Sequence, residues 1–271
     1  MLLSLDTAYY DLGRLDLFAE KNTRIHQLDP RVKVVTTFLF IIYVVSFDKY
    51  EIARLLPFFL FPAVIIGMAD LPFGYFLRKL IIVSPFVIFI GIFNPLIDRE
   101  IILQVGTLQI SGGWISLISI LLRFILTVGA ALLLIATTGF SAICMAMEKL
   151  GTPRIFAVQL LMLYRYVFVL IEESIRLIRA YTLRAFAKNK IRYPIFKQLV
   201  GNLLLRTLDR AQRIHMAMLS RAFTGEIKIA RQFKFGTAEF LYLAGCSALF
   251  TFIRFVNISE LLGKFIMEIG L

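Results

Sequence analysis

The chain has 271 residues, 59% of them hydrophobic and only 18% charged, with 26 phenylalanines and a mean hydropathy of +0.81. That composition excludes an ordinary soluble enzyme or binding module and places the chain among integral membrane proteins. The net charge of +12 would suggest nucleic acid in a soluble chain. In a chain with membrane spans, the excess of Lys and Arg on cytoplasmic segments accounts for it with no nucleic-acid partner.

Residues 1–33 form a polar and aromatic segment expected on the cytoplasmic side. Asp6, Asp11, Asp16, Glu20 and Asp29 interrupt it, and no apolar run is present, so a cleaved signal peptide is not expected. It ends in His26-Gln27-Leu28-Asp29-Pro30-Arg31-Val32-Lys33, directly against the first apolar run. Residues 34–138 are expected to hold four transmembrane helices. The first, 34–47, is short for a span, and Arg31 and Lys33 are placed to snorkel beside it. A polar turn at 48–51 leads to the second, 52–69, where Pro57 and Pro62 predict a packed or broken helix. Arg78 and Lys79 mark a cytoplasmic turn, and 80–93 is the core of the third span. Asn94-Pro95 opens an outer loop in which 101–111 alternates apolar and polar residues around Gly106, the pattern of a small hairpin. Gly112-Gly113 reads as a turn. The fourth span begins near Trp114, an interfacial anchor, and runs to about Thr138. It contains Arg123 near its outer end, expected to snorkel, to pair with Asp98 or Glu100, or to serve transport.

Residues 139–236 are strongly basic. Between 142 and 236 lie seventeen Lys and Arg against five acidic residues, a surplus of twelve that equals the net charge of the whole chain. Residues 155–187 read as one helix without internal Gly or Pro. Glu172 and Arg176 stand at i,i+4, and Leu163, Val167, Leu170, Ile171, Ile175 and Ile178 run down one face. The helix ends in Leu183-Arg184-Ala185. Pro194 sits where a second helix can start. Leu199, Leu203, Thr207, Ala211, Ile214 and Met218 then mark another stripe, with Gly225 as a stop. This helix carries Ser220-Arg221-Ala222, its arginine 37 residues after Arg184. Each helix is about 45 Å long by the helical rise. Topology needs only a few basic residues, so apolar stripes beside these arginines predict helices that pack on a specific partner. An arginine flanked by small or apolar residues at a helix end suits insertion into a groove. Residues 237–271 supply a fifth span, 238–256, and a short amphipathic tail. Five spans with the basic region inside put the N-terminus in the cytoplasm and the C-terminus outside.

Chemistry-bearing clusters are sparse. Cys144 and Cys246 belong to no Cys-x-x-Cys or Cys/His grouping, which argues against a disulfide framework or zinc site. His26 and His215 fall in different polar segments. Met145 and Met147, beside Cys144, lie on an amphipathic stretch where methionine packs. No Gly-x-x-x-x-Gly-Lys run exists, so a phosphate-binding loop for ATP is not expected. A membrane-integral enzyme, the rival reading from another class, lacks a catalytic constellation. A stand-alone channel or receptor would function without partners.

His26-Gln27-Leu28-Asp29-Pro30-Arg31-Val32-Lys33, Thr137-Thr138, Glu148-Lys149-Leu150-Gly151-Thr152-Pro153 and the two arginine motifs together resemble the transmembrane T component of energy-coupling-factor transporters. The resemblance covers nearly the whole chain. Ser220-Arg221-Ala222-Phe223-Thr224-Gly225 is most similar to the CbiQ branch, which serves cobalt or nickel uptake. The resemblance implies an all-α integral membrane protein with about five transmembrane helices and long cytoplasmic coupling helices over 139–236. It implies a multi-pass protein of a prokaryotic cell membrane that is itself non-catalytic and holds no cofactor. ATP would be bound by two ABC-type ATPase subunits, into whose grooves Leu183, Arg184, Ala185, Ser220, Arg221 and Ala222 would dock. A separate small membrane subunit would capture the substrate, a cobalt or nickel ion or, in the alternative within the family, a vitamin. The family usually has glycine after each arginine. Here Ala185 and Ala222 stand in its place and give up easy access to positive φ.

Overall fold

The computed structural model describes residues 13–14, 16–21, 23–97, 101–105, 108–184, 193–223, 225 and 236–256. A short helix, α1 (Arg24–Gln27), precedes the first apolar helix, α2 (Pro30–Val45). Local chemistry fixes where α2 begins. Asp29 caps it by accepting the Arg31 N–H at 2.8 Å, and Pro30 takes the first helical position, where its missing N–H costs nothing. The second apolar stretch, α3 (Ile52–Met68), is broken as its prolines predict. One α-turn, Ile52–Leu55, tightens into a 3₁₀ turn, Leu56–Phe59, holding Pro57 near its start, before the α-helix resumes at Leu60–Met68. Helix α4 (Phe73–Gly91) runs through Pro85 unbroken. After the short α5 (Asn94–Ile97) comes the expected hairpin, β1 (Ile101–Val105) against β2 (Leu108–Ser111). The strands are antiparallel, with Gln104 opposite Gln109 and an irregularity between Ile101 and Leu103. The rest is helical: α6 (Gly112–Thr138), α7 (Phe140–Lys149), α8 (Arg154–Arg184), α9 (Tyr193–Ser220) and α10 (Thr237–Phe255).

Two details differ from the sequence expectation, the glycine pair and the sorting of the spans, and the expected partners of Arg123 lie outside the described residues. Gly112 and Gly113 do not form a turn; both are buried in the first turn of α6, where the absence of side chains admits close packing. Arg123 donates to the Asp48 carbonyl at 2.6 Å, while Asp98 and Glu100 lie outside the described residues. The spans also sort differently by length. Among the described residues, α4, α6, α8 and α10 are long and apolar enough to cross a membrane, whereas α2 and α3 are shorter apolar helices. Helix α8 joins the long set because its stretch through Ile171 is mostly apolar, with only Arg154 and Arg165 charged; the other five charges all follow that point.

The chain divides into two compact units, Phe18–Gly139 with Phe233–Leu271, and Met1–Leu17 with Phe140–Gln232. The first unit is built on an aromatic core. Phe40 and Val44 of α2, Phe58 and Phe61 of α3, Leu126 and Ala130 of α6, and Phe250 of α10 are all buried together. Phe40 stacks on Phe61 at 4.7 Å and meets Phe250 at 5.4 Å, so three helices converge on one ring.

The same unit buries a lysine. Lys33, only 3% exposed, donates from Nζ to the Thr137 carbonyl at 2.9 Å and to the His26 carbonyl at 3.3 Å. Thr137 lies in the last turn of α6, whose carbonyls have no partner within the helix. The ammonium therefore caps α6 from the start of α2. Next to it, buried His26 is hydrogen-bonded through Nδ1 to Thr23 Oγ1 at 2.7 Å. Gly139 then ends α6 at φ +81°, a conformation glycine adopts without strain.

Two predictions follow from this junction. Lys33→Met strands two buried carbonyls and is expected to destabilise the unit by about 2–4 kcal/mol, measured by unfolding in detergent micelles; an unchanged stability would show that Lys33 caps nothing. Burial, and then the charge of Lys33, hold the His26 imidazole below its ordinary pKa. The unfolded chain then takes up a proton at a higher pH than the folded one, so stability falls as pH drops below about 6.5. His26→Gln should flatten that slope between about pH 7 and pH 5.5, as read from midpoints of thermal unfolding.

Candidate docking helices

The second unit begins with α7, whose end is set by its sequence. The Thr152 N–H donates to the Met147 carbonyl at 3.0 Å and the Gly151 N–H to the Glu148 carbonyl at 3.2 Å, with Gly151 at φ +110°. This paired arrangement is a Schellman turn, and Pro153 follows it, where a helix cannot continue. The Glu148-Lys149-Leu150-Gly151-Thr152-Pro153 motif is thus a helix stop. Phe140 of α7 stacks on Tyr164 of α8 at 4.5 Å, and the Tyr164 hydroxyl donates to Asp16 Oδ2 at 2.5 Å.

Helices α8 and α9 meet near their middles. Glu173 Oε1 and Arg206 Nη1 are 2.9 Å apart. On one side of that pair, Tyr166, Val169 and Leu170 share a groove of about 610 Å³ with Arg210, Ala211 and Ile214. On the other, Ser174, Leu177 and Ile178 face Phe196, Leu199 and Leu203. As numbering rises along α8 it falls along α9, so the two helices run antiparallel. Leu199, Leu203, Thr207, Ile214 and Met218 are half-buried, as the stripe predicts; Ala211 is exposed, and no residue of α9 is fully buried. On α8 the stripe is only partly realised. Ile178 is buried, but Leu163 and Leu170 are exposed, and Ala157 and Leu161 take the buried positions of the apolar half. The expected Glu172–Arg176 pair is present at 3.5 Å. Ion pairs this exposed contribute at most about 1 kcal/mol, so apolar contact supplies most of the packing.

The antiparallel course sends the two arginines apart. Arg184, the last described residue of α8, lies eleven residues beyond Glu173, about 16 Å along the axis; Arg221 lies fifteen residues beyond Arg206, about 22 Å the other way. Arg184 and Leu183 are exposed, Leu183 by 75%. Ala185 lies outside the described residues. Ser220, Arg221 and Ala222 are exposed too, and Ser220 Oγ donates to the Met216 carbonyl at 2.9 Å.

The end of α9 repeats the stop seen in α7. The Phe223 N–H donates to the Met218 carbonyl at 3.1 Å and the Ala222 N–H to the Leu219 carbonyl at 3.0 Å. Ala222 occupies the left-handed position at φ +54°. Arg221 is therefore the C-cap, held by backbone bonds on both sides while its side chain projects freely. The sequence left open whether alanine would follow the turn a glycine makes. At Ala222 it does, at a steric cost of roughly 1–2 kcal/mol. Ala222→Gly is accordingly expected to stabilise the helix end by about 0.5–1 kcal/mol, read as slower hydrogen exchange at the Phe223 amide; faster exchange would refute the strained turn.

The remaining candidates stand apart from these ends. His215 is exposed on α9. Cys144 is buried in α7, and burial pushes its thiol up to about 11, so it stays protonated near neutral pH instead of offering a thiolate to a metal. Among the described residues, no three His, Cys, Asp or Glu side chains are grouped to hold a metal ion. The sequence reading missed the Glu173–Arg206 pair and the antiparallel course, which no local pattern encodes. It missed the role of Lys33 as well, although a lysine beside an aspartate-proline helix start was a visible signal.

A family model described as CbiQ, cobalt transport protein, matches residues 21–233, a span that contains every motif above. The energy-coupling factor transporter transmembrane protein EcfT of Bacillus subtilis is 27% identical over 216 residues, covering 74% of this chain and 81% of that one. Its namesake from Ruminiclostridium cellulolyticum is 28% identical over 218 residues, covering 75% and 81%. An uncharacterized protein of Methanocaldococcus jannaschii is 27% identical over 231 residues, covering 79% and 77%.

Proposed function

Since this chain belongs to the CbiQ family of cobalt transport proteins, we propose that it is the transmembrane T component of an energy-coupling-factor importer. The names of its bacterial relatives support that reading. The observation that carries the mechanism is the placement of Arg184 and Arg221 at opposite ends of one antiparallel helix pair. Two exposed guanidiniums so separated suit one contact with each of two ATPase subunits. A guanidinium is a planar fork that pairs with carboxylates or carbonyls in a groove. ATP binding would draw the ATPases together and shift both helix ends, and the rigid helices would pass that motion to the membrane helices and to a substrate-capture subunit. ATP would be held and hydrolysed by the partners, and this chain would be non-catalytic. The family description favours a cobalt ion as cargo; nickel is the other metal the resemblance implies, and a capture subunit would hold the ion. The basic surplus of 139–236 favours a cytoplasmic location for the docking ends, with the N-terminus inside and the C-terminus outside.

Arg184→Ala with Arg221→Ala is expected to abolish ATP-dependent uptake of Co²⁺ or Ni²⁺ by the assembled transporter and to weaken co-purification of the ATPases. Each lost charge-assisted contact should cost about 2–5 kcal/mol. The double Lys variant should show a partial defect, because an ammonium keeps the charge but not the fork. Lys188→Ala, Lys190→Ala and Lys228→Ala should leave uptake unchanged. Equal tolerance at all five positions would return the basic stretch to a topology signal.

A further inference from the structure

The short helix α2 ends at a loop that holds two arginines from other helices. Arg123 of α6 donates from Nη2 to the Asp48 carbonyl at 2.6 Å. Arg254 of α10 donates from Nη2 to the Ser46 carbonyl at 3.1 Å, and its guanidinium carbon lies 4.1 Å from the centre of the Phe47 ring. Both cations thus converge on three consecutive residues, 46–48. The contacts leave hydrogen-bonding capacity unused, because Arg123 Nε and Arg254 Nη1 are buried atoms without a hydrogen-bond partner. Neither arginine forms an ion pair among the described residues.

Depth makes this arrangement costly. The 16 residues of α2 span about 24 Å, less than the roughly 30 Å of a hydrocarbon core. Two cations at its end fall inside the apolar layer unless the bilayer thins or an anion is drawn in to meet them. The flank beside them suits acyl chains. Helices α2 and α10 are joined by Tyr43 Oη and Thr251 Oγ1 at 2.9 Å, and on either side Ile42, Val45, Phe252 and Phe255 are exposed, the last by 83%.

We propose that Arg123 and Arg254, gathered on the 46–48 loop, bind the phosphate of an anionic phospholipid whose acyl chains lie along the exposed faces of α2 and α10. Each arginine is half-buried as a whole, and its accessible nitrogens, not the buried Arg123 Nε and Arg254 Nη1, supply charge-assisted hydrogen bonds to the phosphate oxygens. The lipid headgroup thereby fills the depth that α2 leaves short. The inference rests on the membrane reading and is independent of cargo and of ATPase docking.

Native mass spectrometry of the full chain, released from detergent after incubation with phosphatidylglycerol, phosphatidylcholine or inorganic phosphate, tests it. One phosphatidylglycerol should be retained, and Arg123→Gln with Arg254→Gln should weaken retention about tenfold or more. Arg78→Gln, on exposed α4 surface, should leave it unchanged. Inorganic phosphate alone should neither bind nor displace the lipid. Should the double variant fail to fold, Phe255→Asp at an exposed position should lower retention by itself. The proposal is overturned by equal retention of phosphatidylglycerol and phosphatidylcholine, by phosphate binding as well without chains, or by losses no larger at the arginines than at Arg78.

Discussion

One buried ammonium governs the membrane unit. Lys33 stands at the start of α2 and donates to a carbonyl in the last turn of α6, 104 residues later in sequence. A buried lysine is tolerated only when its charge is met, and here two carbonyls and the C-terminal dipole of α6 meet it. The cost of leaving the cation unmet ties the two helices together at one level. It also explains why the motifs around His26 and Thr137, remote in sequence, belong to one device. With that end pinned, the antiparallel course of α2 and α6 brings Arg123 level with the loop after α2, where it holds the Asp48 carbonyl. The other end of the bundle is thus a consequence of the first.

Helix stops do comparable work in the second unit. Gly151 and Ala222 both sit in the left-handed position of a Schellman turn, one ending α7 and the other α9. A stop of this kind satisfies carbonyls that would otherwise face solvent, and it also fixes the direction in which the chain leaves. At Arg221 the consequence is specific. The backbone is held on both sides of the residue while the side chain remains exposed. In the proposed docking role Arg221 would gain from this, because little backbone entropy would remain to be lost on binding.

Much of this was legible in the sequence where the signal is local. The stripe from Leu199 to Met218 foretold the half-buried face of α9, because a 3.6-residue period maps directly onto a helix surface. The alternation around Gly106 foretold the hairpin, and Pro57 foretold the break in α3. The misses are of another kind. Gly112-Gly113 carried a turn signature, yet packing turned it into a helix start. Leu163 and Leu170 fit the period of α8 but are exposed, because periodicity locates a face and not the partner that covers it. The carbonyl partners of Lys33 and the opposed directions of Arg184 and Arg221 depend on long-range assembly, which no window of sequence contains.

The opposed arginines also bear on why each helix is so long. A helix that merely carried positive charge to the membrane surface would need one or two turns. In α8 and α9 the contact lies near the middle, at Glu173 and Arg206, and more than ten residues of helix extend past it toward each arginine. A displacement applied at either end therefore acts about a central contact made mostly of apolar side chains, whose attraction has no preferred direction. Helices resist bending over this length, whereas side chains at a non-directional contact can slide. In the proposed role, the pair would change its crossing angle under load before either helix bent, and the two arginines would report the spacing of their partners to the membrane helices.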